Sequence, residues 1–106
     1  MARPALLTEE EILQHLPDVP LWRRSGATIV REFAASEFAA ALGLVNAIGL
    51  LAERADHHPD LLIYGWNKVR VTLSTHDQGG LTVLDFRLAH QIDALSFNTV
   101  ASGGTP

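Results

Sequence analysis

Apolar positions along the chain switch between two periods, and the switches mark out its elements. In LTEEEILQHL, Thr8 followed three residues on by Glu11 has the spacing of a capping box, and Ile12, Leu13 and Leu16 form a stripe that Pro17 closes. A short first helix is expected there, with PDVPLW after it as linker. From Leu21 to Phe33 the alternation is loose, Ser25-Gly26 stands in the middle, and β-branched residues crowd the second half, which predicts a hairpin. Ser36 is placed to cap a long helix, EFAAALGLVNAIGLLAERAD, with Glu37 in its first turn, where the helix dipole favours an anion.

That helix is apolar nearly all round. One face carries Phe38, Leu42, Val45, Gly49 and Ala52, and the other Leu44, Ala47, Ile48 and Leu51. A small domain covers only one side of such a helix with its own sheet, so an oligomer, dimer or tetramer, is expected. After Pro59, LLIYGW and KVRVTLST read as strands; in the second, Val69, Val71 and Leu73 alternate with Lys68, Arg70, Thr72 and Ser74. HDQGG reads as a loop. Thr82 and Asp85 then spell a second capping box at the head of VLDFRLAHQIDAL, with Leu84, Leu88, Ile92 and Leu95 at helical spacing. The expected order is α-β-β-α-β-β-α, an α+β class with a four-stranded antiparallel sheet and three helices packed on one face. Residues 1–106 form one domain on this reading, with about 1–6 and 101–106 flexible.

Composition narrows the function classes. With 47% hydrophobic and 19% charged residues the chain is globular. Its formal charge of -4 and scattered Lys and Arg speak against nucleic acid. The absence of cysteine removes disulfides and thiolate metal sites. The start, MARPALLTEEE, lacks the apolar run of a secretory signal. The longest apolar run, Phe38 to Ala52, is broken by Asn46 and is shorter than the ~20 residues of a membrane span, so a cytoplasmic protein with no membrane partner is expected.

The stretch ERADHHPD concentrates the candidate chemistry. Glu53 lies four residues ahead of His57, a spacing that puts the two side chains within reach on one helix face. His58 precedes Pro59 and is therefore extended, which ends the helix near His57 and turns the second ring another way. A helix C-terminus and a nearby carboxylate both favour imidazolium, leaving a proton available near neutral pH. His76 follows the last strand with the parity of Thr72 and Ser74, and the cap of the third helix follows within ten positions. If that strand lies beside the end of the long helix, His57, His58, His76, Glu53 and Asp85 line one pocket suited to proton transfer in elimination or hydration.

Plainer accounts exist for each residue. A helix-end histidine is often a cap, and the capping box alone explains Asp85. His15 and His90 have no partner at a telling spacing. Zinc is disfavoured, because the adjacent histidines diverge, no H-x-x-x-H pair is present and no thiolate is available. Gly79-Gly80 lacks the lysine of a phosphate loop, and no serine stands in a G-x-S-x-G elbow.

Glu53, His57, His58, Pro59, Trp66, His76 and Asp85 taken together resemble the signature of the pterin-4a-carbinolamine dehydratase family: an acidic residue, three positions, His-His-Pro, a short gap, an aromatic, nine positions, His, and a later Asp. The resemblance extends over the order of elements from first helix to last. It implies elimination of water from 4a-hydroxytetrahydrobiopterin, the product of an aromatic amino acid hydroxylase, to give quinonoid dihydropterin in tetrahydropterin recycling. It implies His57 and His76 as acid/base groups and Glu53 and Asp85 as their orienting carboxylates. His58 and Pro59 would help hold the pterin, with Trp66 or Tyr64 stacking on it, and no cofactor or metal is called for. It also implies a homotetramer, and an alternative non-enzymatic role as a transcriptional dimerisation cofactor or enzyme assembly factor. Many relatives have one residue fewer between Pro59 and the aromatic, which predicts a bulge here.

Overall fold

The computed structural model describes residues 4–95 together with Thr99 and Val100; the stretches 1–3 and 101–106 of the termini expected to be flexible lie outside the described residues. Helix α1 (Glu9–His15) starts on its capping box, Thr8 Oγ1 accepting from the Glu11 N–H at 3.1 Å and Glu11 Oε1 from the Thr8 N–H at 2.8 Å. A single 3₁₀ turn, Leu16–Asp18, follows it. PDVPLW is more than a linker. Val19 and Trp22 are buried in the core, and Trp22 Nε1 donates to Asp93 Oδ1 at 2.8 Å.

Strands β1 (Arg23–Ser25) and β2 (Thr28–Ala35) pair antiparallel with Ser25 opposite Thr28, so the turn is Gly26-Ala27; Gly26, at φ 60°, supplies the left-handed conformation this two-residue turn needs. Helix α2 spans Phe38–Ala55. Ser36 does not cap it. The chain stays extended through Glu37 (φ -158°, ψ 169°), which takes the N-cap position without a side-chain bond and so precedes the first turn instead of lying in it.

Ala41, Leu44, Ile48 and Ala52 make the buried stripe of α2, which moves Ala52 from the Phe38 face to the core face. Phe38, Leu42 and Leu50 are exposed, Leu50 by 72%. At 18 residues α2 is long and apolar enough, by length and composition, to cross a membrane, but its inner stripe is core of this domain.

Strands β3 (Asp60–Tyr64) and β4 (Lys68–Leu73) complete an antiparallel sheet in the order β1-β2-β4-β3. Val69, Val71 and Leu73 point inward from β4 with no exposure. The β3–β4 register runs unbroken from Asp60–Thr72 to Tyr64–Lys68, so no bulge forms here; the strand stops at Tyr64, and Gly65 and Trp66 enter a turn with φ of 55° and 60°. Helix α3 (Val83–Asp93) packs beside α2. The α+β class and the element order expected from the pattern hold. A two-residue strand, β5 (Thr99–Val100), adds to them, pairing with Ala34 and Ala35 of β2.

Candidate functional site

The end of α2 is built by backbone geometry. Asp56 adopts the left-handed conformation (φ 51°, ψ 43°); its N–H donates to the Glu53 carbonyl at 3.2 Å and the His57 N–H to the Ala52 carbonyl at 3.1 Å. These are the two bonds of a Schellman motif. The residue that follows the left-handed position in this motif commonly docks an apolar side chain against the helix. Here the slot holds His57, only 5% exposed.

His57 is thereby turned toward α3, where its Nε2 lies 2.6 Å from Asp85 Oδ1. Asp85 is fully buried. Its second oxygen, Oδ2, accepts from the Thr75 hydroxyl at 2.8 Å and from the Thr82 N–H at 2.9 Å. The directions in this network are fixed by what each group can do. The Leu84 N–H donates to Thr82 Oγ1, and an ionised Asp85 only accepts, so Thr75 spends its proton on Asp85 and Thr82 spends its own on Thr75, 2.8 Å away. By the same logic His57 Nε2 carries a proton toward Asp85. In the neutral ring, Nδ1 is then left as an acceptor.

Glu53 does not reach His57, contrary to the four-residue spacing. The left-handed Asp56 ends the helix at Ala55, so His57 swings inward, while His58 folds back over the last turn and its Nε2 meets Glu53 Oε1 at 2.9 Å. Both partners of that pair are largely exposed. His76 opens a 3₁₀ turn, His76–Gln78, within the stretch read as a loop; Thr75 pairs with Gly80 across the base of this turn and leaves His76 exposed.

His57, His58 and His76 border one open pocket of about 320 Å³, together with Asp56, Ser74 and Asp77. The long helix, the end of β4 and the turn after it therefore deliver three imidazoles to one concavity within a single subunit. Pro59 is half-buried beside it in sequence. Tyr64 and Trp66 are not brought to this pocket. They lie at the far end of the β3–β4 hairpin, about 13 Å along the strand from Asp60 at ~3.3 Å per residue. Tyr64 donates to Glu32, and Trp66 is 62% exposed in its turn. Thr75 was not singled out from sequence, and Thr82 was seen only as a cap. The legible sign of Thr82 is its capping-box spacing to Asp85, and that of Thr75 is only that it directly precedes His76.

A family model for pterin 4 alpha carbinolamine dehydratase matches residues 5–95. The chain belongs to this family. A provisionally named pterin-4-alpha-carbinolamine dehydratase from Nocardia farcinica is 50% identical over 91 residues, covering 86% of this chain and 95% of its own length. One from Metallosphaera sedula is 40% identical over 89 residues, covering 84% and 92%. Among solved structures, a transcriptional coactivator/pterin dehydratase from Brucella melitensis superposes with TM-score 0.78 at 35% identity, over 84% of this chain and 96% of that one. A pterin dehydratase-like RuBisCO assembly factor of the alpha-carboxysome shares the fold at TM-score 0.56 and 22% identity, covering 69% and 83%. Pterin-4a-carbinolamine dehydratase relatives thus span the whole histidine region of the chain.

Proposed function

We propose that the chain is a 4a-hydroxytetrahydrobiopterin dehydratase working by histidine acid/base catalysis. The observation that carries this is the single pocket on which His57, His58 and His76 converge, with His57 backed by a buried carboxylate. In the reaction the C4a–O bond breaks as the hydroxyl oxygen takes a proton and leaves as water, and a ring proton is removed as its electrons form the new double bond. His57 serves as the base, because Asp85 holds the proton on Nε2 and leaves Nδ1 for the substrate. The exposed His76 supplies the proton to the departing oxygen. His58, held by Glu53, contacts the pterin at the rim; Pro59 fixes the backbone that aims His57 and His58 apart.

Stopped-flow kinetics with freshly generated carbinolamine tests the assignment. Acceleration over the spontaneous reaction is expected. A rate equal to the spontaneous one removes the enzyme reading and leaves the scaffold role, which the exposed Phe38, Leu42 and Leu50 of α2 favour. Those same side chains support a homo-oligomer, and the cytoplasm is the compartment in which a pterin-recycling step beside a hydroxylase would act.

A further inference from the structure

Residues of α2 and α3 border a second cavity of about 230 Å³ that also has His57 in its wall. Arg54 from α2 and Arg87 from α3 both border it, above a floor of Leu51, Leu84 and Leu88. The other arginines with described side chains, Arg23, Arg24, Arg31 and Arg70, pair with Glu or Asp. Arg54 and Arg87 have no carboxylate partner among the described residues. Both arginines are exposed, and guanidiniums that have no carboxylate partner and border one cavity leave paired N–H donors open to an anion.

Arg87 and Gln91, one turn apart on α3, also border a larger cavity of about 620 Å³ toward α1. Its wall includes His15, whose ring stacks on Phe86 with centroids 5.0 Å apart and planes at 21°. Asp18 stands in the same wall. The two lobes share Arg87 and Gln91 and differ in what each adds: the small one brings Arg54, the large one an aromatic wall and Asp18, a carboxylate acceptor for N–H donors.

We infer that this two-lobed groove binds a mononucleotide-type ligand, a planar amino-heterocycle bearing a phosphate. The phosphate sits between Arg54 and Arg87, each guanidinium offering paired N–H donors to its oxygens. The heterocycle lies in the larger lobe with its amino edge toward Asp18. His57 borders both this site and the three-histidine pocket, but the contacts with Arg54, Arg87 and Asp18 do not depend on the dehydratase reading.

Calorimetric titration of the full chain with inorganic phosphate, adenosine and adenosine 5′-monophosphate tests the assignment. The monophosphate is expected to bind at least about tenfold tighter than either fragment, and Arg54→Gln or Arg87→Gln to weaken it about tenfold, with adenosine unchanged in Arg54→Gln. Asp18→Asn weakens the monophosphate and adenosine alike. His76→Ala leaves all three unchanged. Monophosphate binding no tighter than phosphate, or insensitive to both arginines, overturns the proposal. So does loss of binding in His76→Ala, which places the ligand in the three-histidine pocket, or a change of oligomeric mass in the arginine variants, which makes them contacts between copies.

Discussion

Asp85 shows how one carboxylate answers two structural demands, one with each oxygen. Oδ2 closes the capping box of α3 through the Thr82 N–H, and Oδ1 holds His57. The cap fixes the carboxylate on the helix, so the imidazole is positioned by secondary structure and not by a flexible side chain. His57→Ala and His76→Ala are each expected to lower the dehydration rate by about 10²–10⁴, the range of general acid/base catalysis, with oligomeric mass unchanged in sedimentation. Full activity with a dissociated oligomer would make these histidines structural. Thr75 acts through Asp85. Thr75→Val removes one donor from the buried carboxylate and is expected to cost about 1–3 kcal/mol of stability in urea unfolding. With one donor fewer, the carboxylate that positions His57 is held less firmly, so kcat is expected to fall along with stability. Thr75→Ser, which keeps the donor, is expected to restore both; a Thr75→Val variant that loses stability at unchanged kcat would show that Thr75 has no part in positioning the ring.

Among the elements, the β3–β4 turn is where backbone preference is most plainly overruled. Trp66 holds φ 60°, a conformation that costs a bulky L-residue roughly 1–2 kcal/mol. Trp66→Asn is therefore expected to raise stability by about 1 kcal/mol in urea unfolding of the protein as it assembles in solution. A fall instead shows that the exposed indole is buried against another copy. The turn also marks the limit of what periodicity conveys. Alternation in KVRVTL and the two capping boxes were legible because each reflects contacts within a few residues. Tyr64-Gly65-Trp66 continues the apolar run of β3, and no local pattern says where the left-handed residues fall. The same holds at the end of α2: the histidine cluster was readable from ERADHHPD, but the left-handed Asp56 reassigned Glu53 from His57 to His58. The His57–Asp85 contact spans 28 positions and depends on how α3 docks, which sequence spacing does not encode.

At the scale of the whole molecule, no element among the described residues covers the helix-free face of the sheet or the outer side of α2. On the sheet face, the hydrogen bond from Tyr64 and the nearby Arg70 guanidinium hold the Glu32 carboxyl below its ordinary range, and the same bond to Glu32 holds the Tyr64 hydroxyl above its own. A lowered carboxylate stabilises the fold above its unfolded value, about 4.3, and that contribution is lost as pH falls through the folded value. A raised phenol stabilises below about 10 and is lost as pH rises through its folded value. Glu32→Gln is thus expected to flatten both limbs of stability against pH in thermal melts, and Tyr64→Phe to remove the alkaline limb and weaken the acid one; limbs identical to the parent would show that this exposed network contributes nothing. On α2, Phe38, Leu42 and Leu50 place apolar surface outward on the same helix whose inner side builds the core. Leu42→Glu with Leu50→Glu is expected to shift the protein from oligomer to monomer in sedimentation, since burying two unpaired carboxylates in an apolar contact costs several kcal/mol. All three imidazoles come from one subunit, so kcat is expected to survive dissociation. A collapse of kcat in a folded monomer would mean that the pocket is completed across the contact, and Tyr64 and Trp66, distant from the histidines within a subunit, would be the first residues to test as the neighbour's contribution.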